Sequence, residues 1–213
     1  CAWLLNYYQS EWMAAFLDKE PETSKEQALS TAKSFGFDIE PININTSGDV
    51  WGISPNGKTL IQPLSAIKGL GAAAIQQILA NRPFSDIEDF LFNENIVYSK
   101  LNKKCLDALV RAEALDLFMD DRFTGRKHFW SAVAVDRPRN RKKFNINIET
   151  YAPEKDFTLE QEIQNIVTLT GRFPFERIMS EDVLESLKRN CIPPISEYDP
   201  EIMVAWLVPR SVK

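Results

Sequence analysis

Residues Lys68-Gly69-Leu70-Gly71, set between Ile67 and the apolar run Ala72 to Ile78, could hold an anion on their backbone. Two glycines one residue apart let the chain turn tightly and keep side chains away from its amides. The turn opens a periodic apolar segment, where unpaired N–H groups and the positive end of a helix dipole favour negative charge. With Lys68 adding a cation, the corner Lys68 to Ala72 suits a DNA phosphate and reads no base. The same glycines equally suit a plain corner between packed helices, and the spacing alone leaves both readings open.

A second cationic feature is the stretch Arg122 to Lys143. It holds eight Lys or Arg (Arg122, Arg126, Lys127, Arg137, Arg139, Arg141, Lys142, Lys143) against Asp136, a local charge of +7. The whole chain carries -5, so the remainder carries -12. A local field of one sign attracts polyanions whatever the total, and Arg139, Arg141 and Lys142 are candidate phosphate contacts. Other clusters carry less. Asp116, Asp120 and Asp121 read as a solvated acidic turn rather than a metal site. His128 shows no orienting partner for acid-base work and is expected to be solvated or beside DNA. Phe129 and Trp130 could stack on unpaired bases, but they read better as the apolar face of a helix. Cys1, Cys105 and Cys191 are too scattered for a zinc ligand set, so neither metal nor disulfide is expected.

The elements that must position these residues are mostly helical. The 213 residues are 44% hydrophobic and 26% charged, enough for a substantial core. There is no apolar run of the roughly 18 residues a membrane span needs, nor a secretory signal, and a cytoplasmic setting is expected. Ala2 to Leu17 reads as one buried helix. A second follows a Ser24/Gln27 cap and closes at Gly36. Val50 to Leu64 alternates around Pro55-Asn56-Gly57, a hairpin signal. Apolar periodicity then predicts helices at Ala72 to Leu79, Asp86 to Phe92, Lys103 to Val110, Leu115 to Met119, Leu159 to Leu169 and Glu181 to Leu187. Arg122 to Asp156 reads as a basic, irregular linker. The fold class is therefore mainly α with a small β-hairpin. Met203 to Val208 looks like a strand just begun, and both ends look like cuts through a longer polypeptide.

Five blocks in order carry a family resemblance. Glu11-Trp-Met-Ala-Ala-Phe-Leu17, Phe35-Gly-Phe-Asp-Ile-Glu-Pro-Ile-Asn-Ile-Asn45, Leu64 to Gly71, Pro83-Phe-Ser-Asp-Ile-Glu-Asp-Phe90 and Asn102 to Asp116 are similar to successive segments of the alpha subunit of bacterial DNA polymerase III, the C-family replicative polymerase. The resemblance implies an end of the fingers region over 1–49, a β-hairpin over 50–62 and a tandem helix-hairpin-helix DNA-binding domain over 63–118. A basic linker over 119–156, a helical connector over 157–200 and the start of an OB fold over 201–213 complete the expected order. It implies duplex DNA and the rest of the polymerase as partners. It also implies a parent nucleotidyl transfer whose magnesium is held by aspartates upstream, leaving this segment without cofactor or catalytic residue.

The departures are as informative. Glu113 stands where the family has glycine in the second hairpin, so that turn is expected to bind phosphate poorly. Gly171-Arg-Phe-Pro174 only approximates the family's Gly-His-Pro. No sliding-clamp peptide is visible between Met119 and Gln161. Such drift suits a phage or otherwise divergent polymerase. Two other classes compete: a free-standing helix-hairpin-helix module of a repair or recombination protein, which would lack the flanking blocks, and a helical interaction scaffold that would not bind DNA.

Overall fold

The computed structural model of the chain describes residues 2–21, 23–174, 177–193 and 205. They fall into two compact units, residues 1–173 and 174–213. The first is mainly helical and opens with α1 (Ala2–Tyr7), α2 (Gln9–Lys19) and α3 (Lys25–Ser34). The single helix expected over Ala2 to Leu17 is thus two, broken at Tyr8, whose ψ of 54° is not helical. Neither glycine nor proline marks that break. The cap expected at Ser24 does not form. Ser24 has near-helical dihedrals rather than the extended ones a capping residue needs, and Lys25 instead donates its ammonium to the Leu17 carbonyl at 2.8 Å. Gly36 ends α3 at φ +84°, as its glycine allows.

A three-stranded sheet follows, ordered β1 (Asp38–Glu40), β3 (Thr59–Ile61), β2 (Gly52–Ile53). The hairpin read around Asn56-Gly57 pairs β2 with β3, with Gly57 at φ +68°. β1 pairs with β3 in parallel, Ile39 opposite Leu60. Met13, Leu17, Leu29, Phe37, Trp51 and Leu60 form a small core between this sheet and α2 and α3.

The larger core runs from Ile42 to Leu169. It gathers α4 (Ala72–Asn81), α5 (Ile87–Phe92), α6 (Lys103–Arg111), α7 (Arg126–Trp130), α8 (Arg141–Thr150) and α9 (Leu159–Thr170). Asp86 and Asn102 cap α5 and α6 through their side-chain oxygens. The expected helix at Leu115 to Met119 is a single 3-10 turn, Asp116–Phe118.

The expected linker is the main correction. Arg122 to Asp156 is not irregular: α7 passes into a π-helical turn, Ser131–Val135, and then α8. Phe123, Phe129, Ala132, Val133, Ala134 and Phe144 all lie in the large core. The basic residues masked an apolar periodicity, because only one face of each helix is charged. Two devices hold the segment. Asn147 is wholly buried and donates its amide to the Ala132 and Asp136 carbonyls, at 3.0 and 2.6 Å, tying α8 to the π-helical turn and its end. Asp156 accepts from the Arg126 and Lys127 amides at 3.1 and 2.7 Å, supplying α7 with a cap from 30 residues away. Gly125 makes room for it, since a Cβ there would lie 2.0 Å from the Asp156 carboxylate.

The second unit contains α10 (Glu181–Arg189), which covers the helix expected from Glu181 to Leu187. The expected start of an OB fold at 201–213 lies outside the described residues, Ala205 apart. Among the described residues no helix is long and apolar enough to cross a membrane.

If 122–156 is core, Phe144→Ala should cost about 3–5 kcal/mol in urea denaturation, the range for emptying a buried aromatic site. A loss under about 1 kcal/mol would return the segment to the status of a linker.

Candidate nucleic-acid interface

Hairpin 1 spans Ile67 to Gly71. A 3-10 turn, Leu64–Ala66, enters it and α4 leaves it. Ile67 and Leu70 point into the core, at 1% and 6% exposure, while Lys68, Gly69, Gly71, Ala72 and Ala73 are exposed. Alternate burial therefore anchors the turn by its apolar residues and presents its bare backbone. Gly69 takes φ +90°, a conformation that strains any side chain. Gly71 does not: as N-cap of α4 it has φ -74°, and nothing lies within 4 Å of a Cβ placed there. The conformational requirement thus falls on Gly69, while Gly71 serves by leaving open the approach to the first α4 amides, which have no acceptor within the helix.

Hairpin 1 is held from below by α9. The Lys68 amide donates to the Leu169 carbonyl at 2.8 Å, and the Gln62 amide group to the Thr170 carbonyl at 3.2 Å. These are last-turn carbonyls that the helix cannot pair itself. Gly171, left-handed at φ +69°, closes the helix behind them.

Hairpin 2 repeats the backbone of hairpin 1. Glu113 takes φ +63° where Gly69 takes +90°. A buried apolar residue follows in each, Leu70 and Ala114, and a helical segment begins three residues on, at Ala72 and Asp116. The Glu113 and Ala114 amides return to the Val110 and Leu109 carbonyls at 3.0 Å, the bonds of a Schellman turn that favours glycine at Glu113. The side chains differ. Where hairpin 1 has open Gly71, hairpin 2 has wholly buried Leu115.

The Glu113 carboxylate lies 2.8 Å from Arg126, which also pairs with Asp116 and, at 3.5 Å, with Glu162 of α9. Beside it Arg111 grips the Asn165 side chain at 2.6 and 3.0 Å. Burial pulls the Arg126 guanidinium down, but Asp116, Glu113 and Glu162 together hold it above its ordinary value. An internal carboxylate thus fills hairpin 2, whereas hairpin 1 is open.

The basic stretch is largely compensated. Arg122 hydrogen-bonds Asp120 and Glu88, chiefly Asp120, which raises its basicity and lowers that of Asp120. Arg141 lies 3.2 Å from Glu88, and Lys143 2.8 Å from Asp136. Arg137 is buried against the Tyr98 ring, 3.6 Å from its centroid, and burial pulls its guanidinium down. The three residues expected to meet DNA here, Arg139, Arg141 and Lys142, are all exposed, and Arg141 also pairs with Glu88.

Two further expectations change. Asp116 is half-buried and pairs with Arg126, whereas Asp120 and Asp121 are exposed as expected, Asp120 paired with Arg122. His128 is buried, not solvated: its Nδ1 accepts from the Thr124 amide at 3.1 Å and its Nε2 donates to the Ile148 carbonyl at 2.7 Å. Phe129 is core, and Trp130 donates its indole N–H to Asp107 at 2.8 Å, as a helix face rather than a stacking surface.

Residues 36–125 match the helix-hairpin-helix motif family. The chain is similar to the DNA polymerase III alpha subunit of Thermus aquaticus, 34% identical over 125 residues, 56% of this chain and 10% of the relative. It is also similar to the error-prone DNA polymerase of Corynebacterium glutamicum, 33% identical over 141 residues, 64% of this chain and 12% of that protein. The DNA polymerase III alpha subunit of Campylobacter jejuni is 34% identical over 124 residues, 55% of this chain and 10% of its own length. The chain therefore spans about a tenth of the length of the curated relatives it matches.

Arg126→Met should lower stability by about 2–4 kcal/mol at neutral pH, because it leaves facing carboxylates uncompensated in a partly buried site. A urea titration at pH 7 measures this, and a loss under about 1 kcal/mol would show that the carboxylates do not depend on Arg126.

Proposed function

We propose that this chain, whose residues 36–125 form a helix-hairpin-helix segment related to the DNA polymerase III alpha subunits, grips duplex DNA through hairpin 1 without reading its sequence. The observation that carries the reading is the exposed turn at Lys68 to Ala73. There a left-handed glycine, an open glycine and the start of a ten-residue helix present amides beside a lysine. Backbone N–H groups at a helix start suit a phosphate oxygen. Contact to phosphate positions a duplex and is indifferent to its bases.

Hairpin 2 takes no direct part. Its geometry is that of a phosphate-binding turn, but Glu113 and Leu115 close it, and an approaching phosphate would meet a carboxylate. Its role is to dock α9, which in turn fixes hairpin 1. Within the parent enzyme the segment holds primer-template duplex while template-directed nucleotidyl transfer, with its magnesium, proceeds on the catalytic region. The remainder of the polymerase is its natural partner. The chain by itself performs no transfer.

The test pairs two variants. Gly71→Val should fold, since its φ and the open space admit a side chain, yet weaken duplex binding tenfold or more by covering the amides. Lys68→Ala should weaken all duplex sequences alike and reduce the slope of log affinity against log salt by about 0.9, one phosphate contact. Folded Gly71→Val and Lys68→Ala proteins that both bind like the parent would reduce the turn to a corner of a helical bundle. Incubation with primed template, nucleotides and magnesium should give no primer extension, and extension by the pure chain would defeat the division of labour.

A further inference from the structure

A second face is built for a polyanion by different means. The segment after α5 exposes Val97 and Tyr98 at 49% and 47%. It is fixed to α4 by the Val97 amide, which donates to the Gln77 side chain at 2.8 Å. One face of the Tyr98 ring is covered by Arg137, whose guanidinium carbon lies 3.6 Å from the ring centroid and whose Nη1 donates weakly to the Tyr98 carbonyl at 3.4 Å. Arg137 is itself only 8% exposed, and its Nε has no hydrogen-bond partner. A buried cation stacked beneath a half-exposed aromatic holds that ring as a platform.

Further cations lie close in the chain, Lys100 two residues beyond Tyr98 and Arg139 two beyond Arg137. Lys103 and Arg139 both lie within electrostatic reach of Asp136, which Lys143 already neutralises at 2.8 Å. Lys100, Lys103 and Arg139 are exposed, and among the described residues none of them is in an ion pair. Lys103 and Lys104 also begin α6, with no acid in its first turn, against the preference of a helix N-terminus for negative charge. The α6 amides are not on offer, since Asn102 accepts from those of Lys104 and Cys105. Any anion here is held by side chains.

We infer that Tyr98, backed by Arg137 and flanked by Lys100, Lys103 and Arg139, binds an unpaired polynucleotide strand, one base stacking on the ring and the adjacent phosphates lying on the cations. Stacking on an aromatic with flanking cations suits single strands because every base offers a face. A duplex keeps its faces inside and would use only the cations. The site is independent of hairpin 1, which works through amides and shows no exposed aromatic. Yet it sits beside α4, the helix that hairpin 1 begins, so a strand leaving a duplex held there reaches it within one short helix.

The measurement is fluorescence anisotropy of labelled oligothymidylate and of a blunt duplex of equal length, with the whole chain. Tyr98→Leu keeps an apolar cover over Arg137 but removes the π face, and should weaken oligothymidylate about tenfold while leaving the duplex unchanged. Tyr98→Phe should bind like the parent. Lys103→Ala and Arg139→Ala should each reduce the single-strand salt slope by about 0.7. Lys68→Ala should do the converse, weakening duplex and sparing the single strand, so that failure of either site is seen separately. Parent-like oligothymidylate binding by Tyr98→Leu, or equal loss on both ligands, would overturn the assignment.

Discussion

The hydrogen bond from the Lys68 amide to the Leu169 carbonyl is the constraint on which the rest of the interface depends. A glycine-containing turn is inherently soft, and its amides can act as a preformed anion site only if something fixes their direction. The last carbonyls of α9 do this. They need donors from outside their helix, the hairpin and Gln62 supply them, and both requirements are met in one contact. The middle of the same helix reaches the flanks of hairpin 2, Asn165 accepting from Arg111 and Glu162 pairing with Arg126. One helix therefore spans both turns, and what docks it at one end steadies the other.

The two hairpins show how little separates an open turn from a closed one. Their backbones share a left-handed residue, an inward apolar residue and a helix start at equal spacing. A non-glycine residue in the left-handed region costs on the order of 1 kcal/mol or more. Glu113 bears that cost because its carboxylate meets Arg126 in a partly buried site where such a pair is worth more than on the open surface. The exchange makes hairpin 2 an anchor for α7, and leaves hairpin 1 as the open member of the pair.

Much of this was legible in the sequence. The helices α4, α5, α6, α9 and α10 followed from apolar periodicity and the β-hairpin from Asn56-Gly57, whereas α7 and α8 did not. The break at Tyr8 was not legible, since no residue there forbids a helix. The basic stretch misled for a physical reason: sequence shows the charges of Arg122, Arg126 and Arg141 but not the carboxylates of Glu88, Glu113, Asp116 and Glu162 that the fold brings to them. The same blindness hid Asp156 as the cap of α7 and Asn147 as partner of the π-helical turn, since both act across the chain. Tyr98 was missed because an isolated exposed tyrosine carries no signal until Arg137 is seen beneath it.

The central claim is that one hairpin meets the duplex through its backbone while its twin is closed from within. Amide chemical shifts of the 15N-labelled chain, followed during titration with a short duplex, address it residue by residue. The account predicts the largest shifts at Gly69, Gly71, Ala72 and Ala73, with Glu113, Ala114 and Leu115 essentially unmoved. Shifts concentrated at Glu113 to Leu115, with the amides of Gly69 to Ala73 silent, would contradict it.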